Sequence, residues 1–133
     1  MKSDYKSFAD EIIRNLKAMG FIIHRYDAYS TKSIYLKLDY GASHSIRISD
    51  HAGKKHLKYK FNLIKGYKGG RFIKQDGYWR LFYSFDEIDE MIAKVAHDRE
   101  FIREKVKDYD AEMERMRADN SGNRGFWEKA VLV

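Results

Sequence analysis

The chain is 133 residues long, 44% hydrophobic and 35% charged, which supports one heavily solvated core and leaves no room for two. It has no cysteine, so disulfides, thiol nucleophiles and thiolate metal sites are excluded, and no apolar run approaches the roughly 18–20 residues that span a bilayer. The opening Met1-Lys2-Ser3-Asp4-Tyr5 lacks the apolar stretch of a signal peptide, so a soluble, reducing, intracellular setting is expected. The net charge of +6 is uneven: residues 24–80 hold thirteen Lys/Arg against four acids, and residues 84–118 hold seven basic against eleven acidic residues. A basic middle joined to an acidic segment points to an anionic partner or to self-complementary association; the plainer alternative is a solvated basic sheet face.

Residues 1–20 read as a helix, with Phe8, Ile12, Leu16 and Met19 at helical spacing and Ile13 widening the stripe. Ser3 or Asp4 would cap its start, and Gly20 supplies a left-handed stop. Across 21–83 the period changes to two. Phe21–Tyr26 is rich in β-formers; Ile34, Leu36, Leu38 and Tyr40 alternate with Tyr35, Lys37 and Asp39. His44–Asp50 alternates again, and Leu57, Tyr59, Phe61 and Leu63 do so against Lys58, Lys60 and Asn62. Residues 71–74 and 77–83 suggest a last hairpin. Such alternation predicts an antiparallel sheet of about five strands with one wet face.

Ser84-Phe85-Asp86-Glu87 is a capping box that opens a helix expected to run unbroken over 84–119, with apolar residues at 88, 92, 95, 102, 106, 109, 113 and 116. Arg99 interrupts that seam. At 1.5 Å per residue the helix would be about 50 Å long, so its far half must bend back, protrude or pair with a second copy in a homodimer. Residues 120–133 form an apolar tail around Phe126-Trp127 and Val131-Leu132-Val133, either docked or free. The expected fold is a single α+β domain: N-terminal helix, antiparallel sheet, long C-terminal helix.

No catalytic constellation emerges. Asp86, Glu87, Asp89 and Glu90 lie in the first turns of a helix, where the dipole accounts for them. Asp50, His51 and His56 flank one hairpin turn and form a candidate zinc site, to which His44 or His24 would add a ligand. Lys54 and Lys55 between the histidines oppose a cation, and a solvated polar hairpin explains the same residues. Gly66–Arg71 contains Lys68 and Arg71 in a glycine-rich loop that matches neither phosphate-loop fingerprint, because strand and not helix follows it. More informative are Tyr35, Lys37, Arg47, Lys58 and Lys60, opposite the apolar residues of their strands. Cations interleaved with aromatics suit RNA or single-stranded DNA, and the same surface would suit an acidic protein patch.

Ser33-Ile34-Tyr35-Leu36 and Ile46-Arg47-Ile48-Ser49-Asp50-His51 together resemble the S-x-Y…IRISDH signature of small phage and mobile-element proteins. Some of these are type II-A anti-CRISPR proteins, inhibitors of the Cas9 effector. The resemblance covers residues 33–51. It implies a phage-encoded, non-catalytic protein that binds Cas9 or its guide RNA complex in the cytoplasm of a bacterial host. Inhibitors that mimic duplex DNA are strongly acidic, whereas this chain is basic across its sheet. Contact with a protein lobe or the guide RNA is therefore expected, away from the arginines that read the PAM.

Overall fold

In the computed structural model, residues 5–28, 32–41, 44–50, 57–62, 78–105, 108–121 and 125–133 are described, apart from the side chains at 60–62, 78, 79 and 105. The first helix, α1, covers Tyr5–Ala18 and buries Ala9, Ile12, Ile13 and Leu16, a stripe at i, i+3, i+4 and i+7. It ends as expected. Gly20 takes φ +89°, Gly20 N–H donates to the Lys17 carbonyl (2.9 Å), and Phe21 N–H donates to the Leu16 carbonyl (3.1 Å). This is a Schellman closure, which needs a left-handed residue.

Five strands follow: β1 Ile23–Ala28, β2 Ser33–Leu38, β3 His44–Ser49, β4 Leu57–Asn62 and β5 Tyr78–Tyr83. Each pairs antiparallel with its sequence neighbour, and a sixth short strand, β6 Val131–Leu132, pairs antiparallel with β1. The sheet order is β5-β4-β3-β2-β1-β6. Register aligns Leu36 with Ile46 and Ile46 with Tyr59, and in the adjoining row Ile34 with Ile48 and Ile48 with Leu57. Because side chains alternate along a strand, these residues share one face, and all of them are buried. α1 and the next helix, α2 Ile88–Lys105, supply Ile12, Leu16, Met91 and Val95 to the same core. The α+β layout read from the sequence is therefore present, with α1 and α2 on one side of an antiparallel sheet.

Three boundaries differ from the sequence expectation. Strand pairing on β2 stops at Leu38, and Asp39–Gly41 form a 3-10 turn in which Asp39 (φ +53°) and Tyr40 (φ +61°) are left-handed. Strict alternation would have put Asp39 on the wet face beside Lys37; the inverted backbone turns its carboxylate into the interior, where it is fully buried.

The long helix is the second correction. Ser84 and Glu87 do form the capping box, the Glu87 carboxylate accepting from Ser84 N–H (2.8 Å), above a 3-10 turn at Phe85–Glu87. The helix is not unbroken to 119, however: α2 has 18 residues and a separate α3, Tyr109–Asn120, has 12. Asp108 starts α3 afresh by accepting from Ala111 N–H (3.0 Å). The two pieces measure about 27 and 18 Å at 1.5 Å per residue, lengths that fit a small domain where a 50 Å rod does not. The seam expected to face a second copy lies inside this chain, since Val95, Ile102 and Tyr109 are buried and Met113 packs against the core. Val106, also assigned to that seam, lies outside the described residues.

The third concerns the tail. It docks: a short α4, Phe126–Lys129, leads into β6, which raises the sheet from about five strands to six. Among the described residues no helix is long and apolar enough to cross a membrane.

Candidate functional site

The sheet face opposite α1 and α2 is where the sequence-selected residues meet. Register lines up Tyr26, Tyr35, Arg47, Lys58 and Phe82 across β1 to β5 as one row. His24, Lys37, Ser45, Lys60 and Arg80 form the adjoining row. No Asp or Glu occupies any position of this parity in β1–β5. Acids nearby point the other way: Arg25, of opposite parity, pairs with Asp27 (2.8 Å) and with Asp10 of α1 (3.0 Å) on the helix side. Like charges directly opposite one another, as at Arg47 and Lys58, are unfavourable in a bare sheet. An anion laid across them would reverse that sign.

Tyr35, Lys37, Arg47 and Lys58 thus come together as the sequence expects, and Lys60 occupies the matching register position. Alternation also places Tyr26, Arg80 and Phe82 on this face, although none was singled out beforehand. The signal for them is the same period of two, carried one strand further on either side. Tyr35 and Phe82 are exposed, at 37% and 51%.

The tail closes one end of the face. Trp127 packs edge-on to His24 (5.1 Å between ring centres) and Phe126 edge-on to Tyr26 (6.4 Å). The Lys37 ammonium sits over the Phe126 and Trp127 rings at 5.4 and 6.0 Å. Gly41 beside Trp127 takes φ +75°, a left-handed backbone that glycine adopts without strain. Between Phe126 and the central strands lies a concavity of about 470 Å³, lined by Tyr26, Tyr35, Lys37, Arg47, Lys58 and Phe126 among others. None of its lining residues among those described is a carboxylate. Tyr26 and Tyr35 stack along its floor at 6.3 Å and 19°. The Arg47 Nε is buried and has no hydrogen-bond partner among the described residues.

Two buried polar nodes fix the strands that carry this face. In the first, Asp39 accepts from Arg99 Nε (3.0 Å) and Nη2 (3.3 Å), from the Tyr109 hydroxyl (2.9 Å) and from Ile22 N–H (3.2 Å). Arg99 also donates to the Met19 and Gly20 carbonyls at the end of α1 (3.2 and 3.1 Å). The residue that interrupted the apolar seam is a structural ion-pair partner, which ties the β2 exit to α1, α2 and α3. Burial, reinforced by the Asp39 charge, pushes the Tyr109 hydroxyl well above its ordinary range.

In the second node, Asp98 accepts from the Tyr59 hydroxyl (2.7 Å) and pairs with Lys94 (3.0 Å). Tyr59 has one proton and gives it to Asp98, so neutral His44 Nδ1 donates to the Tyr59 oxygen (3.1 Å). Burial lowers the His44 pKa to about 3 and raises that of Tyr59. His24 is lowered by burial as well.

These placements bear on the zinc expectation. His44 is engaged in the core, and residues 44 and 50 lie at opposite ends of β3, roughly 20 Å apart at 3.3 Å per residue. His24 lies near the His44 end, as the pairing of Ile23 and His44 with Leu38 requires. Neither histidine can share an ion with Asp50, which corrects the idea of an added strand ligand. His51 and His56 lie outside the described residues, as do Lys68 and Arg71 of the glycine-rich loop. Among the described residues no group of three His, Asp or Glu is arranged to hold a metal.

The hairpin of residues 33–51 divides by face. Ile34, Ile46 and Ile48 are core, while Tyr35 stands opposite Arg47 and Ser33 opposite Ser49 on the other side. The Ser33 hydroxyl donates to Ser49 Oγ (3.2 Å), and Asp50 N–H closes the strand end on the Lys32 carbonyl (3.1 Å). Comparison with protein-family models, curated proteins and solved structures finds no match to this chain.

Proposed function

We propose that this chain is a non-catalytic inhibitor of a bacterial Cas9 effector and that it engages the effector–guide complex through the open sheet face. The observation that carries the binding surface is its charge: Lys37, Arg47, Lys58, Lys60 and Arg80 on one sheet parity with no acid among them. The Cas9 partner rests on the likeness of residues 33–51 to anti-CRISPR proteins, whose non-core members here include the facing pairs Tyr35–Arg47 and Ser33–Ser49. A cationic surface of this kind suits the guide RNA backbone or an acidic patch of the effector, and works by stoichiometric occupancy. The test is guide-directed DNA cleavage by purified Cas9 with the protein added in increasing ratio. Inhibition should saturate near one equivalent and be lost in Arg47→Glu/Lys58→Glu. Full cleavage in molar excess of the folded protein would end the Cas9 reading.

The interleaved aromatics favour a second reading, a nucleic-acid-binding accessory protein that needs no effector. Tyr26, Tyr35, Phe82 and Phe126 add π faces that a purely electrostatic protein contact does not require. Retention of the protein on RNA or single-stranded DNA in the absence of Cas9 would favour it.

A further inference from the structure

We infer that the concavity between Phe126 and strands β2–β4 is a single-strand nucleotide subsite, in which an unpaired base lies against the Tyr26–Tyr35–Phe126 aromatic wall and its phosphate rests on Arg47 and Lys58. The inference rests on the reading that the open face is the binding surface, and it names what that surface takes. Neighbouring strands are about 4.8 Å apart, so the row from Tyr35 places Arg47 and Lys58 roughly 5 and 10 Å away. That is the direction and reach from a base through its sugar to its own phosphate.

Charge, shape and hydrogen bonding agree on the ligand. Among the described residues the lining contains three cations and no carboxylate, so an anion is favoured over a cation or a neutral solute. The volume of about 470 Å³ accommodates one nucleotide unit. Arg47 lines the concavity beside Lys58, and guanidinium N–H groups form charge-assisted hydrogen bonds with phosphate oxygens. Tyr35 is exposed at the floor, and Tyr26 is held by its edge-on contact with Phe126 and by Lys129, whose ammonium lies 6.0 Å from its ring centre. A wall of this sort accepts a π face. Bases in a duplex are stacked on each other and offer only their edges, so the site selects single strands. An acidic peptide would engage the cations but leave the stacking floor unused.

Fluorescence anisotropy across a salt series tests this, with labelled U12 and dT12, a 12-base-pair duplex, and inorganic polyphosphate as an unlabelled competitor. U12 or dT12 should bind more tightly than the duplex, and polyphosphate should compete poorly at equal phosphate. Tyr35→Ala should weaken the oligonucleotide at least about fivefold without changing the salt slope, and Tyr35→Phe should restore it. Arg47→Ala should lower the slope by about 0.7, the value per phosphate contact for single strands. Phe126→Ala, outside the central strands, gives an independent check of the wall and should weaken binding likewise. A preference for U12 over dT12 would assign the strand to RNA, and equal binding to either nucleic acid. Equal binding of polyphosphate and oligonucleotide, with Tyr35→Ala and Phe126→Ala neutral, would overturn the subsite. If no oligonucleotide binds but Cas9 is still retained and inhibited, the subsite is wrong and the proposed function stands. If neither is bound, both fall.

Discussion

Removing one member of the Asp39–Arg99 pair should be among the most damaging single changes in this protein. Arg99→Met keeps the volume and the helix but deletes both donors to the Asp39 carboxylate, which is fully buried. Tyr109 and Ile22 N–H would remain, two donors for an otherwise unpaired charge. Breaking a buried pair in this way costs about 3–5 kcal/mol, and loss of the donors to Met19 and Gly20 carbonyls adds up to about 1 kcal/mol each. Against a total stability of about 5–15 kcal/mol, that is a third or more. With an m-value of about 2 kcal/mol per M, the urea midpoint should fall by roughly 2 M. Asp39→Asn is the partner change, since asparagine tolerates the left-handed φ of +53° and removes only the charge. It strands Arg99 instead. The double variant should therefore be less damaged than the two singles predict, with a coupling of at least about 1.5 kcal/mol. An Arg99→Met midpoint within about 0.5 M of the parent, or a strictly additive cycle, would refute the account of this node.

The other expectations are simpler. His44 is held near pKa 3 inside the fold against about 6.5 unfolded, so between those values the unfolded chain binds more protons. Stability should fall as pH drops from 6.5 toward 3, by up to about 1.4 kcal/mol per unit; His44→Gln should flatten urea midpoints measured from pH 6.5 to 5, and His24 keeps a residual slope. Tyr59→Phe removes the donor to buried Asp98 and the acceptor for His44, and should cost about 1–3 kcal/mol by urea titration; a neutral result would mean that water replaces the hydroxyl. Truncation after residue 125 deletes α4 and β6 but none of the buried core residues, so the far-ultraviolet circular dichroism of the sheet should persist with a lower Tm. Failure of that variant to fold would make the tail a core element and not a cover. Metal analysis of untagged protein is expected to find no stoichiometric zinc, since Lys54 and Lys55 separate the two candidate histidines; one bound ion per chain, lost in His51→Ala, would reverse that.

The elements were legible because their signals are local. A stripe at 8, 12, 13 and 16 with Gly20 behind it, alternation at 34, 36 and 38 and at 44, 46 and 48, and the Ser84–Glu87 box each involve neighbours a few residues apart. Backbone periodicity then dictates which side chains share a face, and so Tyr35, Arg47 and Lys58 meet in one row. The break before α3 also had a local signal that the apolar heptads obscured: Asp108 followed by Asp110 and Glu112 is an N-cap with an acidic first turn.

What tertiary structure alone decided involves partners far apart in the chain. Asp39 sits in an alternating strand pattern, and nothing near it announces a buried carboxylate; Arg99, 60 residues later, makes the left-handed turn worthwhile. Arg99 itself reads as a flaw in an apolar seam until Asp39 and the end of α1 surround it. Phe126 and Val131 are simply apolar until β1 offers an edge to pair with and Tyr26 a ring to pack on. Sequence determines the period of each segment because propensity and alternation act between adjacent residues. Which charge is buried, where a helix stops and what covers an edge depend on the pairing of distant segments, and only the assembled core sets their free energy.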